Sequence, residues 1–391
     1  MIGRALTLAL AILAAPAPAA ELVVTFGGDV NFARSRAAPQ PDRVFKFASL
    51  PLAETTAFLR GEWDGDINFV NIESVVSDRD GDQQPKTFVF RSHPAQIDHL
   101  IDLGVNAFSL SNNHAYDHGW SGMAATLEYF EGADSPARPL LFAGIGLGAD
   151  ATAPQIITVN GVRVALAAIG IGPEGFAPRD DRVGMSLLRA EGHLDAVLAG
   201  LAAAEADFRI LSVHHGIENQ ITVDAGERAL VQRALDEGRV NLVLGHHPHV
   251  ARGVAADPEA GQAVFHSLGN LLFLGGAVRD GLPVGHDYGM FGKAYFDVSP
   301  DGVRLTALEV LPLRNVHLAP EPMTPSRLRA TLEHLSALSA RTDGDLGVTF
   351  SPVGDMPDRG AACFGGTYGP RAQALCCSLT RSLQCDMPSL M

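Results

Sequence analysis

VNLVLGHHPHV, residues 240–250, joins a short apolar run to a turn crowded with imidazoles. Val240–Leu244 reads as a buried strand, and the polar cluster begins where the strand ends. His247 and His249 are separated only by Pro248. In an extended loop such an i, i+2 pair directs both rings to the same side, and the proline stiffens the backbone between them. Two cations about 3.5–4 Å apart could take one ring each. A strand whose carboxyl end carries potential ligands points to an open α/β sheet, where ligand chemistry collects at strand ends.

The same arrangement recurs along the chain. Seven of the 14 histidines lie in three short stretches: His114 and His118; His214 and His215; His246, His247 and His249. In SNNHAYDHG (111–119) the Asn113 oxygen can ligate a metal. His114 can protonate a leaving group, and Asp117 can hold an imidazole in one tautomer. GGDVN places Asp29 just after the first strand, and NIES places Glu73 at the tip of another. A buried carboxylate is costly unless paired, and a position between two cations would satisfy it. In VHHGIE, His214 is a candidate ligand, while His215 and Glu218 are expected beside it or facing substrate. HSLGN (266–270) reads as a structural turn near the site.

Between these motifs, strand-like and helix-like segments alternate. Leu22–Phe26, Asp66–Asn71, Val105–Leu110, Phe208–Val213, Ala263–Ser267, Ala294–Val298 and Val303–Leu311 read as strands. Pro94–Leu103, Gly122–Phe130, Asp195–Glu205 and Gly226–Asp236 read as helices, and Asn160-Gly161 closes a hairpin. The first strand is expected to end at Gly27-Gly28. The pattern is that of a layered α/β fold.

The chain has 391 residues, is 47% hydrophobic and carries a formal charge of −15. It can bury a large core, and its acidity makes nucleic acid an unexpected partner. The first residues have the form of a secretory leader. Arg4 precedes an apolar run from Ala5 to Ala15, and Ala17-Pro18-Ala19 offers a cleavage site. This predicts a signal peptide over 1–19, an exported (periplasmic or secreted) protein, and no transmembrane helix once the leader is removed. A main domain is expected over 20–320, followed by a C-terminal extension over 321–391 that holds a helix and a cysteine-containing tail. Cys363, Cys376, Cys377 and Cys385 all lie in that tail, so disulfides are expected, with three pairings possible. Adjacent Cys376 and Cys377 are poor partners for each other.

Taken together, GDV (28–30), NIE (71–73), NNHAYDHG (112–119), HHGIE (214–218), GHHPHV (245–250) and SLGN (267–270) resemble the CapA-type poly-γ-glutamate capsule biosynthesis family, which is itself similar to the calcineurin-like metallophosphoesterases. The resemblance covers about residues 21–275. It implies a four-layer α/β/β/α sandwich and a dinuclear site for Mn, Fe or Zn. Asp29 would bind one metal and Glu73 would bridge. Asn113, His214 and His247 would bind the second metal, and His249 would return to the first. His114 would act as acid or charge stabiliser. The resemblance also implies hydrolysis of a phosphoester or a γ-glutamyl amide in an envelope or capsule polymer. A non-catalytic binder or scaffold for an anionic polymer is the alternative. Metallophosphoesterases usually carry Asp-x-His in the first motif; here the matching position is Asn31, a candidate substrate contact. His215 stands where the family commonly has Trp, which makes that part of the pocket wall polar.

Overall fold

Side chains alternate along the strands with period two, and the two sets enter different cores. Leu22, Val24 and Phe26 meet Val164, Leu166, Phe208, Ile210, Leu242 and Leu244 in an inner core. Ala165, Ala167, Leu211, Val213 and Val243, from the intervening positions, face outward. This alternation builds two stacked sheets in the computed structural model of the protein, which describes residues 19–45, 49–273, 288–366 and 368–380.

The first sheet opens with β1 (Ala20–Val30), β2 (Ile67–Ile72), β3 (Ala107–Ser109) and β4 (Leu141–Ala143). The chain then crosses to form the second sheet from β5 (Gln155–Val159), β6 (Val162–Gly170), β7 (Phe208–His214), β8 (Leu242–His246), β9 (Val254–Asp257) and β10 (Gln262–Phe265). It returns to the first sheet with β11 (Asn270–Leu272), β12 (Tyr288–Ser299), β13 (Gly302–Arg314), β14 (Ser351–Val353) and β15 (Met356–Cys363). The first sheet runs β14-β15-β13-β12-β1-β2-β3-β4, with β11 beside the end of β1. The second runs β5-β6-β7-β8-β10-β9. The β1–β4 segment and the β6-β7-β8-β10 segment are parallel, so the carboxyl ends within each lie together. The Asn160-Gly161 hairpin joins β5 and β6 in antiparallel register, as expected.

Helices cover both outer faces. α1 (Pro94–Asp102) and α2 (Gly119–Ala133) pack Ile97, Leu100, Met123 and Phe130 on the first sheet. α3 (His193–Ala203) and α4 (Ala225–Asp236) pack Val197, Leu201, Val231 and Ala234 on the second. The result is the α/β/β/α order. Two helices start with capping boxes, His93 with Gln96 and Asp224 with Glu227, and these satisfy amide donors that no helical carbonyl can reach.

The first strand does not stop at Gly27-Gly28. It continues to Val30, pairing there with β11. A Cβ on Gly28 would collide with the Gly269 carbonyl, so the glycine permits the close approach of β11 that prolongs the strand. Asp29 is therefore on the strand rather than beyond it.

The residues after Pro320 extend the same architecture. β14 and β15 add to the first sheet. α5 (Pro325–Asp343) packs against β9 of one sheet and β15 of the other. α6 (Pro370–Thr380) covers Val23, Tyr295 and Ala307. Glu21 receives the backbone N–H of Arg371 at 3.0 Å and of Ala372 at 2.9 Å, holding the start of α6 against β1. Cys363 and Cys376 form a disulfide between β15 and α6. Cys377 is also disulfide-bonded, while Cys385 and residues 1–18 of the expected leader lie outside the described residues. No helix among the described residues is long and apolar enough to cross a membrane.

The Cys363–Cys376 link joins residues 13 apart in sequence. Replacing both cysteines with Ser is expected to cost roughly 2–3 kcal/mol, read as a lower urea midpoint in oxidising buffer. An unchanged midpoint would show that packing, the Glu21 contacts and the Cys377 disulfide suffice to hold α6.

Candidate metal centre

Strand ends from both sheets meet at one place. β1 carries Asp29, β2 leads directly into Glu73, and the turn after β3 brings Asn113 and His114. β7 ends at His214, and β8 ends at His246. Asp29, Glu73 and His214 each offer a ligand atom within 4.8 Å of the others, and Glu73, His247 and His249 do the same. The two groups share Glu73.

Glu73 gives the strongest indication of what the site can hold. Its side chain is fully buried, yet neither carboxylate oxygen has a hydrogen-bond partner among the described residues. Oε1 lies 3.5 Å from Nε2 of His214, 3.7 Å from Nε2 of His249 and 4.0 Å from Nε2 of His114. An isolated buried carboxylate is costly, and burial together with the neighbouring Asp29 carboxylate pushes Glu73 well above the usual carboxylate range. His247 Nδ1 and His246 Nε2 are likewise buried without partners. The Glu73 carboxylate with the imidazoles of His214, His247 and His249 around it is a donor set that fits borderline divalent cations.

The other ligand candidates are held firmly. Asp29 Oδ1 accepts from Asn71 Nδ2 at 2.8 Å and lies 3.0 Å from His246 Nδ1. Its Oδ2 lies 3.2 Å from His249 Nδ1. Burial alone would raise Asp29, but these two imidazoles hold it well below its ordinary value. His214 Nε2 lies 2.7 Å from Asn113 Oδ1. Burial, with His247 nearby, keeps the His214 imidazole well below its usual range. Burial, with His249 nearby, lowers His247 to about 4. The His214 and His247 rings are therefore neutral at neutral pH, the state in which imidazole can ligate a metal.

The GHHPH loop is not extended as expected. His247 has φ +93° and His249 has φ +56°, both in the left-handed region. Such conformations cost about 1–3 kcal/mol each and persist only where the surroundings impose them. Here Asp29 Oδ2 lies 3.4 Å from the His247 amide, and Asn270 Oδ1 lies 2.9 Å from His249 Nδ1. The rings still share the site, with centroids 6.1 Å apart.

His114 and Asp117 are joined as expected, with Asp117 Oδ2 at 2.7 Å from His114 Nδ1. Asp117 also accepts from the Phe90 amide at 2.6 Å and from Lys86 Nζ at 2.7 Å. A carboxylate only accepts, so Nδ1 carries the hydrogen and Nε2 is turned toward Glu73. Burial lowers the His114 pKa although Asp117 pulls it upward. Phe90 packs on the His114 ring at 4.6 Å and Phe273 on the His249 ring at 4.5 Å, making one wall apolar.

The chain is similar to several known proteins. Residues 23–274 match the model of the bacterial capsule synthesis protein family PGA_cap. The chain belongs to that family. It is 26% identical over 286 residues to the PGA biosynthesis protein CapA of Bacillus subtilis, covering 71% of each chain. It is 28% identical over 212 residues to the capsule biosynthesis protein CapA of Bacillus anthracis, covering 51% of this chain and 48% of that one. Among solved structures, a calcineurin-like phosphoesterase from Bacillus subtilis aligns with a TM-score of 0.44 and 13% identity, over 81% of this chain and 98% of that one.

The remaining sequence candidates in this PGA_cap protein divide. His215 is buried, and burial lowers it to about 4 despite the opposing charge of Glu227. Glu218 is exposed on the following loop, with its charge acting on Glu73 and His249. Asn31 is buried, but its amide closes its own turn: Nδ2 donates to the Ala33 oxygen, and Oδ1 accepts from the Ala33 amide, both at 3.1 Å. This is a turn-forming role and gives no support to a substrate contact.

Other residues of the site were not picked out from sequence. His246 is in the quoted imidazole run, but only the fold shows it beside Asp29. Asn71 and Lys86 carry no local signal of their partners, which lie 42 and 31 residues away. Arg252 is buried and binds Glu227 at 2.6 Å, while its Nε donates to the Gln220 oxygen at 2.8 Å. That pair fixes the 215–220 loop beside the GHHPH turn. Arg252→Met is expected to cost about 3–5 kcal/mol, because it leaves Glu227 buried without its cationic partner. A change below ~1 kcal/mol in urea denaturation, the size of an exposed ion pair, would refute that assignment.

Proposed function

We propose that this chain is a metal-dependent hydrolase acting on an anionic envelope or capsule polymer. The carrying observation is Glu73, a buried carboxylate without hydrogen-bond donors that is shared by two groups of ligand candidates. By the resemblance, Asp29, Glu73 and His249 would hold one cation and Glu73, Asn113, His214 and His247 the other; proximity in the fold instead groups His214 with Asp29 and His249 with His247. When bound, divalent cations of the Mn, Fe or Zn type supply Lewis acidity and an activated water. Asp117 orients His114, whose Nε2 faces the shared carboxylate and is placed to exchange a proton with water or leaving group. Phe90 and Phe273 keep solvent from that side of the imidazoles.

The scissile linkage would be a phosphoester or a γ-glutamyl amide, in keeping with the capsule-related family. We infer a location outside the cytoplasm. The leader-like first residues support this, and so does the Cys363–Cys376 disulfide, which suits an oxidising compartment.

The test is metal analysis of the purified chain by mass spectrometry, joined to assays on a chromogenic phosphodiester and γ-glutamyl peptides. Bound divalent metal and turnover are expected. Metal-free wild type, together with a His247→Ala/His249→Ala variant that changes nothing, would refute the reading. The Asn31 side chain, turned into its own loop, favours the second reading of a polymer binder without turnover. Polymer binding unaffected by His114→Ala, with no product formed, would select it.

A further inference from the structure

Beside the proposed centre lies a shelf of aromatic rings with a cation at each end. Tyr116 is in the same turn as Asn113, His114 and Asp117. Lys86, bonded to Asp117, lies 4.5 Å from the centre of the Tyr116 ring. Tyr116 stacks on Phe176 at 4.6 Å, and Phe176 packs on Trp120 at 4.8 Å. The Arg182 guanidinium lies over Trp120, 3.5 Å from the ring centre.

At the far end, the Arg182 guanidinium sits on an indole face and not on a carboxylate. Among the described residues no carboxylate pairs with Arg182, and its Nε is buried without a partner. Stacking on an indole holds the guanidinium plane while leaving its edge donors free to bind an oxyanion. The arrangement is preorganised, so little rotamer entropy remains to be lost on binding.

We propose that Arg182 on Trp120 is a second anion-binding point for the substrate. It grips an oxyanion of a repeating polymer at a distance from the linkage held at the metal centre, and the shelf carries the intervening chain. This deepens the hydrolase reading and rests on it for the polymer's orientation. A substrate with a single anionic group would not reach both ends; a polymer with regularly spaced carboxylates or phosphodiesters would.

The experiment is calorimetric binding to the purified full chain of two oligomer series of increasing length, γ-linked glutamates and glycerol phosphates. Wild type is expected to gain affinity with length in at least one series. R182Q is expected to lose that gain, about tenfold for the longest oligomer, and R182K to recover part of it. The series that loses more in R182Q identifies the oxyanion. Equal affinity of wild type and R182Q for the long oligomers, or no binding of any oligomer by wild type, overturns the proposal. A loss of melting temperature in R182Q with unchanged affinity also overturns it, because Arg182 would then only support the shelf. Absence of turnover in wild type, with the R182Q binding defect intact, would remove the hydrolase reading alone.

Discussion

A Glu73→Gln variant is expected to be more stable than wild type without metal and unable to fill both cation positions with it. Both effects follow from one buried carboxylate whose oxygens have no donors. The neutral amide has no charge to desolvate, whereas burial and Asp29 raise the pKa of the acid in the fold. An acid raised on folding contributes stability below its unfolded pKa, near ~4.3, and loses it as pH climbs toward the folded value. The stability gap between E73Q and wild type should therefore open above about pH 5. At about pH 8 it should reach roughly 1–3 kcal/mol. Urea denaturation in chelator at both pH values measures it. Metal should reverse the order, since cations offset the wild-type charge but find no bridging carboxylate in E73Q. A less stable metal-free variant, or one that binds as many cations as wild type, would remove Glu73 from the bridging position.

The second large effect concerns proton handling. His114→Ala is expected to lower kcat on a chromogenic phosphodiester by about 10²–10⁴-fold, with metal content retained. Asp117→Asn should come close to the same loss. A carboxamide can donate to Nδ1, which would reverse the tautomer and put the hydrogen on Nε2. It would also weaken the contacts from Lys86 and from the Phe90 amide. If either variant keeps most of the wild-type kcat, the His114–Asp117 pair is not part of the chemistry.

Much of the fold was legible because local patterns and global packing agree. Apolar runs ending in Asp, Glu, Asn or His became parallel strands whose tips converge, and Asp224 opens its helix through a capping box. Where the sequence misled, the causes are physical. Gly27-Gly28 looks like a terminator, but a glycine also permits another backbone to approach, and only the fold reveals that Gly269 does so. Pro248 suggested an extended turn, whereas its two flanking histidines take positive φ because Asp29 and Asn270 hold them. The bonds of Asn71, Lys86 and Arg252 depend on partners far along the chain. Ser351–Val353 is only three residues long, and the burial of Met356–Cys363 does not alternate, so no clear period-two signal marked them as strands.

β1 lies in the middle of its sheet although it comes first of the described strands, and assembly must accommodate that. Ala20 faces Val298 in β12, and Glu21 caps a helix that starts at Pro370. Neither neighbour exists until most of the chain has left the ribosome. Contacts of such wide sequence separation form slowly, because a long loop must close first. The early strands therefore wait, with one edge bare, for the late ones. Asp29 and Glu73 wait with them for His214 and His247, so the candidate site is assembled only after distant parts of the chain have met.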